Sequence, residues 1–391
     1  MGLFEREEKV FFHTYKRIPL EIDRGDGVHV FAKDGKKYLD MFGGLAVNAL
    51  GYNHPRIIAA IEQQARRYIH LSNYYLQDAQ IEIADLLVSA TGYRKVFLCN
   101  SGTEAIEGAL KLARKWGKEG TRSTIVSFSN AFHGRTFGAL STMDRPKYKD
   151  GYGPFLTGFV NIPFNDVAQL RETANAGTLA VMLEFIQGEG GINVASEEFV
   201  RELKALKDRH GFLLIADEIQ AGIGRTGKFL SFEHYGVKPE IVTVAKPLGG
   251  GLPLGAILGS EAMADVLQYG VHGTTFGGNP VACAAGTVVL DEILNKGLME
   301  NAARLGSYFI QELQALKKDF PGLIVDVRGK GFMIGVELSR EGDSIVEAMR
   351  ARGILINCTN QTVLRFLPPL TITRGHIDET VSALRNVLGE L

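Results

Sequence analysis

From Lys95 onward, runs of consecutive apolar residues alternate with stretches in which apolar residues recur every three or four positions. The runs Val96–Cys99, Thr124–Phe128, Leu179–Leu183, Phe212–Ala216 and Ile241–Ala245 lack strict alternation, as strands buried on both faces do. The periodic stretches, about Thr103–Lys118 and Glu197–Arg209, read as amphipathic helices. This rhythm predicts an α/β fold with a mostly parallel central sheet covered on both faces.

The flanks differ. Val28–Lys33 and Lys36–Asp40 alternate about Asp34-Gly35, a hairpin signal. Helical periodicity follows from Pro55, suited to a first helical position, to about Tyr68, and again from Gln77 to Ser89, with a polar-aromatic loop, Ser72–Tyr75, between them. After Asn279, a helix over Pro280–Asn295 leads to a smaller module. It has a helix near Asn301–Lys317, strands at Ile324–Val327, Met333–Glu337 and Val363–Phe366, and a closing helix at His376–Leu388. We divide the chain into an N-terminal segment, 1–50, contributing to a small domain; a large α/β domain, 51–285; and a C-terminal small α+β domain, 286–391. No flexible linker separates them, so rigid packing is expected.

At 391 residues, with 43 Lys+Arg against 44 Asp+Glu and no charge runs, the chain shows no electrostatic footprint for nucleic acid or anionic membrane. Small molecules and other copies of itself are the expected partners. Cys99, Cys283 and Cys358 are odd in number and widely spaced, which reads as reduced thiols, not a zinc set. The charged start Met1–Glu8 has no signal-peptide apolar region, and no run reaches membrane-spanning length. A cytoplasmic location is the expectation.

Candidate chemistry lies at the carboxyl ends of the predicted strands, where open α/β sheets bind ligands. Lys246 follows Ile241–Ala245 and precedes Gly249-Gly-Gly251. Partial desolvation there favours a neutral amine, the form that Schiff-base chemistry requires. Asp217 follows five apolar residues, so it either meets a cation or caps the next segment. Asn100-Ser101-Gly102-Thr103-Glu104 is either a plain helix cap or a phosphate site at a helix N-terminus. Arg365, inside Val363–Leu367, needs a carboxylate partner. His133 and His272 lack partners at metal-ligating spacing and read as ordinary loop histidines, so no metal site is expected. Gly222-Ile-Gly-Arg-Thr-Gly-Lys228 imitates a nucleotide-binding loop, which would make the chain a P-loop protein using Lys228. However, Phe229 replaces the magnesium-binding hydroxyl and no apolar strand abuts the first glycine.

Six segments in order complete the picture: Asn100–Glu104, Phe132-His-Gly-Arg-Thr136, Gln187-Gly-Glu-Gly-Gly191, Ala216-Asp-Glu-Ile-Gln220, Ala245-Lys-Pro-Leu-Gly-Gly-Gly251 and Gly273-Thr-Thr-Phe-Gly-Gly-Asn-Pro280. Together they resemble the subgroup-III pyridoxal-phosphate aminotransferases over nearly the whole chain. The resemblance implies the fold-type-I architecture and the cofactor pyridoxal 5′-phosphate. Lys246 would carry the cofactor and Asp217 would pair with its ring nitrogen. Phe132 and Ile219 would flank the ring, Gln220 would lie near its phenolic oxygen, and Ser101, Gly102 and Thr103 would hold the phosphate. Thr275 would reach the phosphate of a neighbouring subunit, which implies a homodimer with shared sites.

Gly43–Pro55, Ser72-Asn73 and Cys99–Thr103 are most similar to members that move the terminal amino group of N2-acetyl-L-ornithine to 2-oxoglutarate in arginine biosynthesis. Ornithine, 4-aminobutyrate and N-succinyldiaminopimelate are the alternative amines. By the same resemblance Arg135 and Tyr15 would bind the far carboxylate of the amine, and Arg365 the carboxylate beside the reacting carbon of 2-oxoglutarate. Glu189 would neutralise Arg365 until that acid arrives. Ile106 and Pro247 depart from the family pattern away from the chemistry, while Leu76 departs near the region that tunes amine choice.

Overall fold

The computed structural model describes residues 2–118 and 122–391. Strands β1 (Ile22–Asp26), β2 (His29–Ala32) and β3 (Lys37–Asp40) form the expected hairpin plus one further antiparallel strand. The central sheet draws on β4 (Lys95–Cys99), β5 (Thr124–Phe128), β6 (Phe159–Ile162) and β7 (Thr178–Leu183). A two-residue hairpin, β8 (Ile186–Gln187) with β9 (Asn193–Val194), follows, and then β10 (Leu213–Asp217), β11 (Ile241–Val244) and β12 (Gly255–Gly259). The seven-stranded order is β4-β12-β11-β10-β7-β5-β6. All neighbours run parallel except at β12, which is antiparallel to both β11 and β4. Two antiparallel steps cancel, so β4 ends at the same edge as β10 and β11.

Alternate side chains feed two opposite cores, as a doubly covered sheet requires. Ile215, Ile241 and Ile257 pack with the helix Gly102–Gly117 on one face. Leu214, Ala216, Val242 and Val244 join the larger cluster on the other, which includes Cys283, Ala285 and Val289 of the helix Pro280–Asn295. That helix starts as its sequence dictates: the Asn279 side chain accepts from the N–H groups of Val281 and Ala282, and Pro280 occupies the first turn.

The C-terminal module is a four-stranded antiparallel sheet of β13 (Ile324–Lys330), β14 (Met333–Leu338), β16 (Asn357–Thr359) and β17 (Val363–Phe366), in the order β13-β14-β17-β16. The short β15 (Ile354–Leu355) leaves it to pair in parallel with β3, so the N-terminal sheet is completed by the far end of the chain. β6 and β12 were not legible in the sequence: β6 is interrupted by Asn161, and β12 is bracketed by glycines.

The nucleotide-loop lookalike serves packing. Its N–H groups are consumed within the loop, Gly224 by Phe229 O, Arg225 by Gly222 O and Gly227 by Gly224 O, which leaves none of the three for a phosphate. Gly227 (φ +87°) abuts the helix Leu298–Asp319, where a Cβ would lie 2.7 Å from that of Ala303. Arg225 is buried and donates to the carbonyl oxygens of Phe332 and Pro368.

Candidate active site

The carboxyl edge of the central sheet opens into a cavity of about 440 Å³ lined by, among others, Ser101, Thr103, Phe132, Arg135, Asp217 and Lys246. Each arrives from a strand end. Asp217 is the last residue of β10 and Lys246 lies two beyond β11, with φ +39°, a left-handed backbone for a non-glycine residue. The turn after β4 supplies Asn100–Thr103, and the loop after β5 supplies Phe132–Arg135.

Asp217 is 3 % exposed and meets both needs foreseen for it. Its Oδ2 lies 2.7 Å from Nδ1 of the buried His133, and its Oδ1 accepts the N–H of Ile219 at 3.0 Å. His133 is therefore not an ordinary loop histidine. Burial alone would lower its pKa, but the hydrogen bond and charge of Asp217, with Glu184 beyond, raise it above the ordinary value. The buried Glu184 carboxyl, raised by burial, accepts the N–H groups of Phe132 and Gly188 at 3.0 and 3.1 Å and fixes two loops of the site. It directly follows β7 as Asp217 closes β10, so the same strand-end signal could have found it. For His133, the signal was only that a buried aspartate demands a donor.

Lys246 is half-buried at the cavity wall, and desolvation lowers its pKa against the opposing pull of Glu189. The turn at Ser101 is both a cap and an open helix end. Ser101 Oγ accepts from Glu104 N at 3.3 Å, while the N–H groups of Gly102 and Thr103 take no partner among the described residues. A Cβ on Gly102 would lie 2.8 Å from Ile219 Cδ1, so any larger residue would have to displace the Ile219 side chain at the cavity wall.

Arg365 has the carboxylate its burial demanded. Nη1 lies 2.6 Å from Glu189 Oε1, and Nε donates to Asn357 Oδ1 at 3.1 Å. Burial raises the Glu189 carboxyl, but the Arg365 charge and hydrogen bond outweigh it and hold the pKa below the usual carboxylate value. Gln220 touches both, its Oε1 3.3 Å from Arg365 Nη1 and its Nε2 3.5 Å from Glu189 Oε1. Arg135 is exposed, stacked over Tyr148 at 4.3 Å, with no carboxylate partner among the described residues. Two expected site residues stand apart from the cavity: Tyr15 is 70 % exposed on the N-terminal segment, and Thr275 is exposed beside Phe276.

Residues 10–388 match the model of the class-III aminotransferase family. The chain is a class-III aminotransferase. The acetylornithine aminotransferase of Methanocaldococcus jannaschii is 46% identical over 98% of this chain and 97% of that protein. That of Caldanaerobacter subterraneus is also 46% identical, over 98% of each. Among solved structures, the acetylornithine aminotransferase from Elizabethkingia anophelis superposes with a TM-score of 0.90 at 36% identity, covering 99% of this chain and 98% of that one. The ornithine aminotransferase from Toxoplasma gondii gives 0.95 at 33% identity, covering 99% and 94%.

The enzyme thus belongs to the pyridoxal-phosphate-dependent aminotransferases. Its residues fit that cofactor. A helix end with unpartnered N–H groups suits a phosphate, a buried carboxylate suits a protonated ring nitrogen, and a desolvated lysine suits an aldehyde; all three line one cavity.

Proposed function

We propose that this aminotransferase moves the terminal amino group of N2-acetyl-L-ornithine to 2-oxoglutarate, giving N-acetyl-L-glutamate 5-semialdehyde and L-glutamate, a step of arginine biosynthesis. One observation carries the reading. Glu189 and Arg135 both line the cavity: Glu189 neutralises the buried Arg365 behind it at 2.6 Å, while Arg135 has no carboxylate partner among the described residues. A terminal amine carries no carboxylate at its reacting carbon and so requires a neutralised Arg365, while its distant α-carboxylate needs a cation farther out. 2-Oxoglutarate needs the reverse at the first position: its own carboxylate replaces that of Glu189 on Arg365. The similarity to acetylornithine aminotransferases at 46% identity favours the acetylated amine over ornithine.

Pyridoxal phosphate, when bound, would supply an electron-accepting ring and an aldehyde carbon that carries the amino group between the two halves of the exchange. Asp217, oriented by His133, would hold negative charge against the ring nitrogen. The Lys246 amine, whose pKa desolvation lowers, would take a proton from the reacting carbon of the amine donor in one half and give one to the reacting carbon of 2-oxoglutarate in the other. Ser101, Gly102 and Thr103 would hold the phosphate, Phe132 and Ile219 would confine the ring, and Gln220, which touches the Glu189–Arg365 pair, would serve the phenolic oxygen.

Thr275 and Tyr15 would act across a homodimer, Thr275 on the phosphate of the second copy. Tyr74, Leu76 and Phe276 form exposed apolar surface suited to such an interface, at 97%, 94% and 60% exposure. No helix of the described residues is long and apolar enough to cross a membrane, and we place the enzyme in the cytoplasm.

A coupled assay with 2-oxoglutarate and N-acetylornithine, ornithine, 4-aminobutyrate or N-succinyldiaminopimelate tests the substrate. The acetylated amine should give the highest kcat/KM; a higher value for any other sinks the assignment. The purified protein should also show a visible cofactor band that Lys246→Ala abolishes.

A further inference from the structure

Glu189 stands on the turn between β8 and β9, and polar groups of that turn are held at several points. Gly188 N donates to Glu184, and the Glu189 carbonyl accepts Thr359 Oγ1 at 2.8 Å. The Gly190 carbonyl accepts Asn193 Nδ2 at 3.0 Å. The Gly191 carbonyl takes two donors of one guanidinium, Arg328 Nε at 3.0 Å and Nη2 at 2.7 Å. Arg328 is fixed in turn by Asp326 and Glu337.

Thr359 belongs to β16 and Arg328 to β13, the two outer strands of the sheet in which β17 carries Arg365. The turn is therefore gripped from both edges of the sheet that holds its ion-pair partner. A relative movement of the central sheet and the C-terminal sheet would carry the main chain of Glu189 along with Arg365. The side chains differ in freedom: that of Arg365 is 1 % exposed and further fixed by Asn357, whereas that of Glu189 is 22 % exposed.

We infer that Thr359 and Arg328 clamp the main chain beneath Glu189 to the Arg365 sheet, so that the exchange at Arg365 returns the carboxylate to one fixed position. Thr359 and Arg328 are positioning residues for substrate exchange. Neither lines the cavity; they set where the carboxylate returns after 2-oxoglutarate leaves. The inference rests on the exchange reading given above, in which Glu189 serves the amine half-reaction and yields in the other.

The test uses holoenzyme, single-turnover rates of each half-reaction read from cofactor absorbance, and the Kd of glutarate, a dicarboxylate that cannot react, by calorimetry. Thr359→Val removes one hydrogen bond without changing volume. Arg328→Lys keeps the charge beside Asp326 and Glu337 but loses the two-donor grip on Gly191. Each should slow the amine half-reaction about tenfold while the 2-oxoglutarate half stays within about twofold, and each should tighten glutarate binding several-fold, as Glu189→Ala is also expected to do. Thr359→Ser should restore both readouts, and Thr359→Val should add nothing in a Glu189→Ala background. If Glu189→Ala shifts the ratio of the two halves but neither clamp variant does, the clamp is wrong and the exchange reading stands. If Glu189→Ala itself leaves the ratio and the glutarate Kd unchanged, the exchange reading fails and the clamp falls with it.

Discussion

Replacing His133 by alanine tests how the ring-binding carboxylate is held. The imidazole and Asp217 are both almost completely buried and lie 2.7 Å apart. Removing the imidazole leaves Asp217 with the Ile219 N–H as its remaining hydrogen bond. A hydrogen bond to a charged group contributes roughly 1.5–3 kcal/mol, and about 1.4 kcal/mol corresponds to tenfold in an equilibrium constant. Loss of orientation should therefore weaken cofactor binding by roughly ten- to a hundredfold. His133→Asn can still donate to Asp217 and should recover most of this.

The assay is equilibrium titration of apoenzyme with pyridoxal phosphate, followed by visible absorbance, with circular dichroism confirming the fold. A Kd for His133→Ala within twofold of wild type would refute the orienting role. Linkage supplies a second readout. The folded-state pKa of His133 is raised, so its contribution to stability is complete below the unfolded value near 6.5 and is lost as pH rises through the folded pKa. Apoenzyme should thus lose stability above neutral pH, and the alanine variant should lose less.

Three further outcomes follow from other contacts. Lys246 has a depressed folded pKa, so folding, which disfavours its protonated form, costs stability at neutral pH, and the cost fades toward the unfolded value near 10.4. Apo Lys246→Met should melt above apo wild type at pH 7 with the gap closing as pH rises, and a widening gap would contradict the burial argument. Gly102→Ala should push Ile219 into the cavity and weaken cofactor binding about tenfold while shifting the thermal midpoint of the apoenzyme little, as titration and melting curves would show. Gly227→Ala meets Ala303 at 2.7 Å in a left-handed backbone and should cost roughly 2–4 kcal/mol in chemical denaturation, with cofactor affinity unchanged once folded.

Much of the fold was legible because its elements are locally consistent. Runs such as Ile241–Val244 have no alternation to misread, and helices such as Pro280–Asn295 carry their own cap and proline. β12 escaped because its identity depends on filling a gap between β11 and β4, a condition no local pattern encodes. The same division runs through the site. Lys246, Asp217 and Arg365 were visible as charged or polar residues in apolar settings, since burying such a group announces that something must compensate it. What compensates it was decided in three dimensions. His133 reaches Asp217 from 84 positions away, and Glu189 reaches Arg365 from 176. Thr359 and Arg328 carry no mark in the sequence, because their roles consist of contacts with main-chain oxygens, which every residue possesses. By itself the sequence determined which groups would need partners; the tertiary structure decided which partners they have, because a hydrogen bond depends on distance and direction and not on position along the chain.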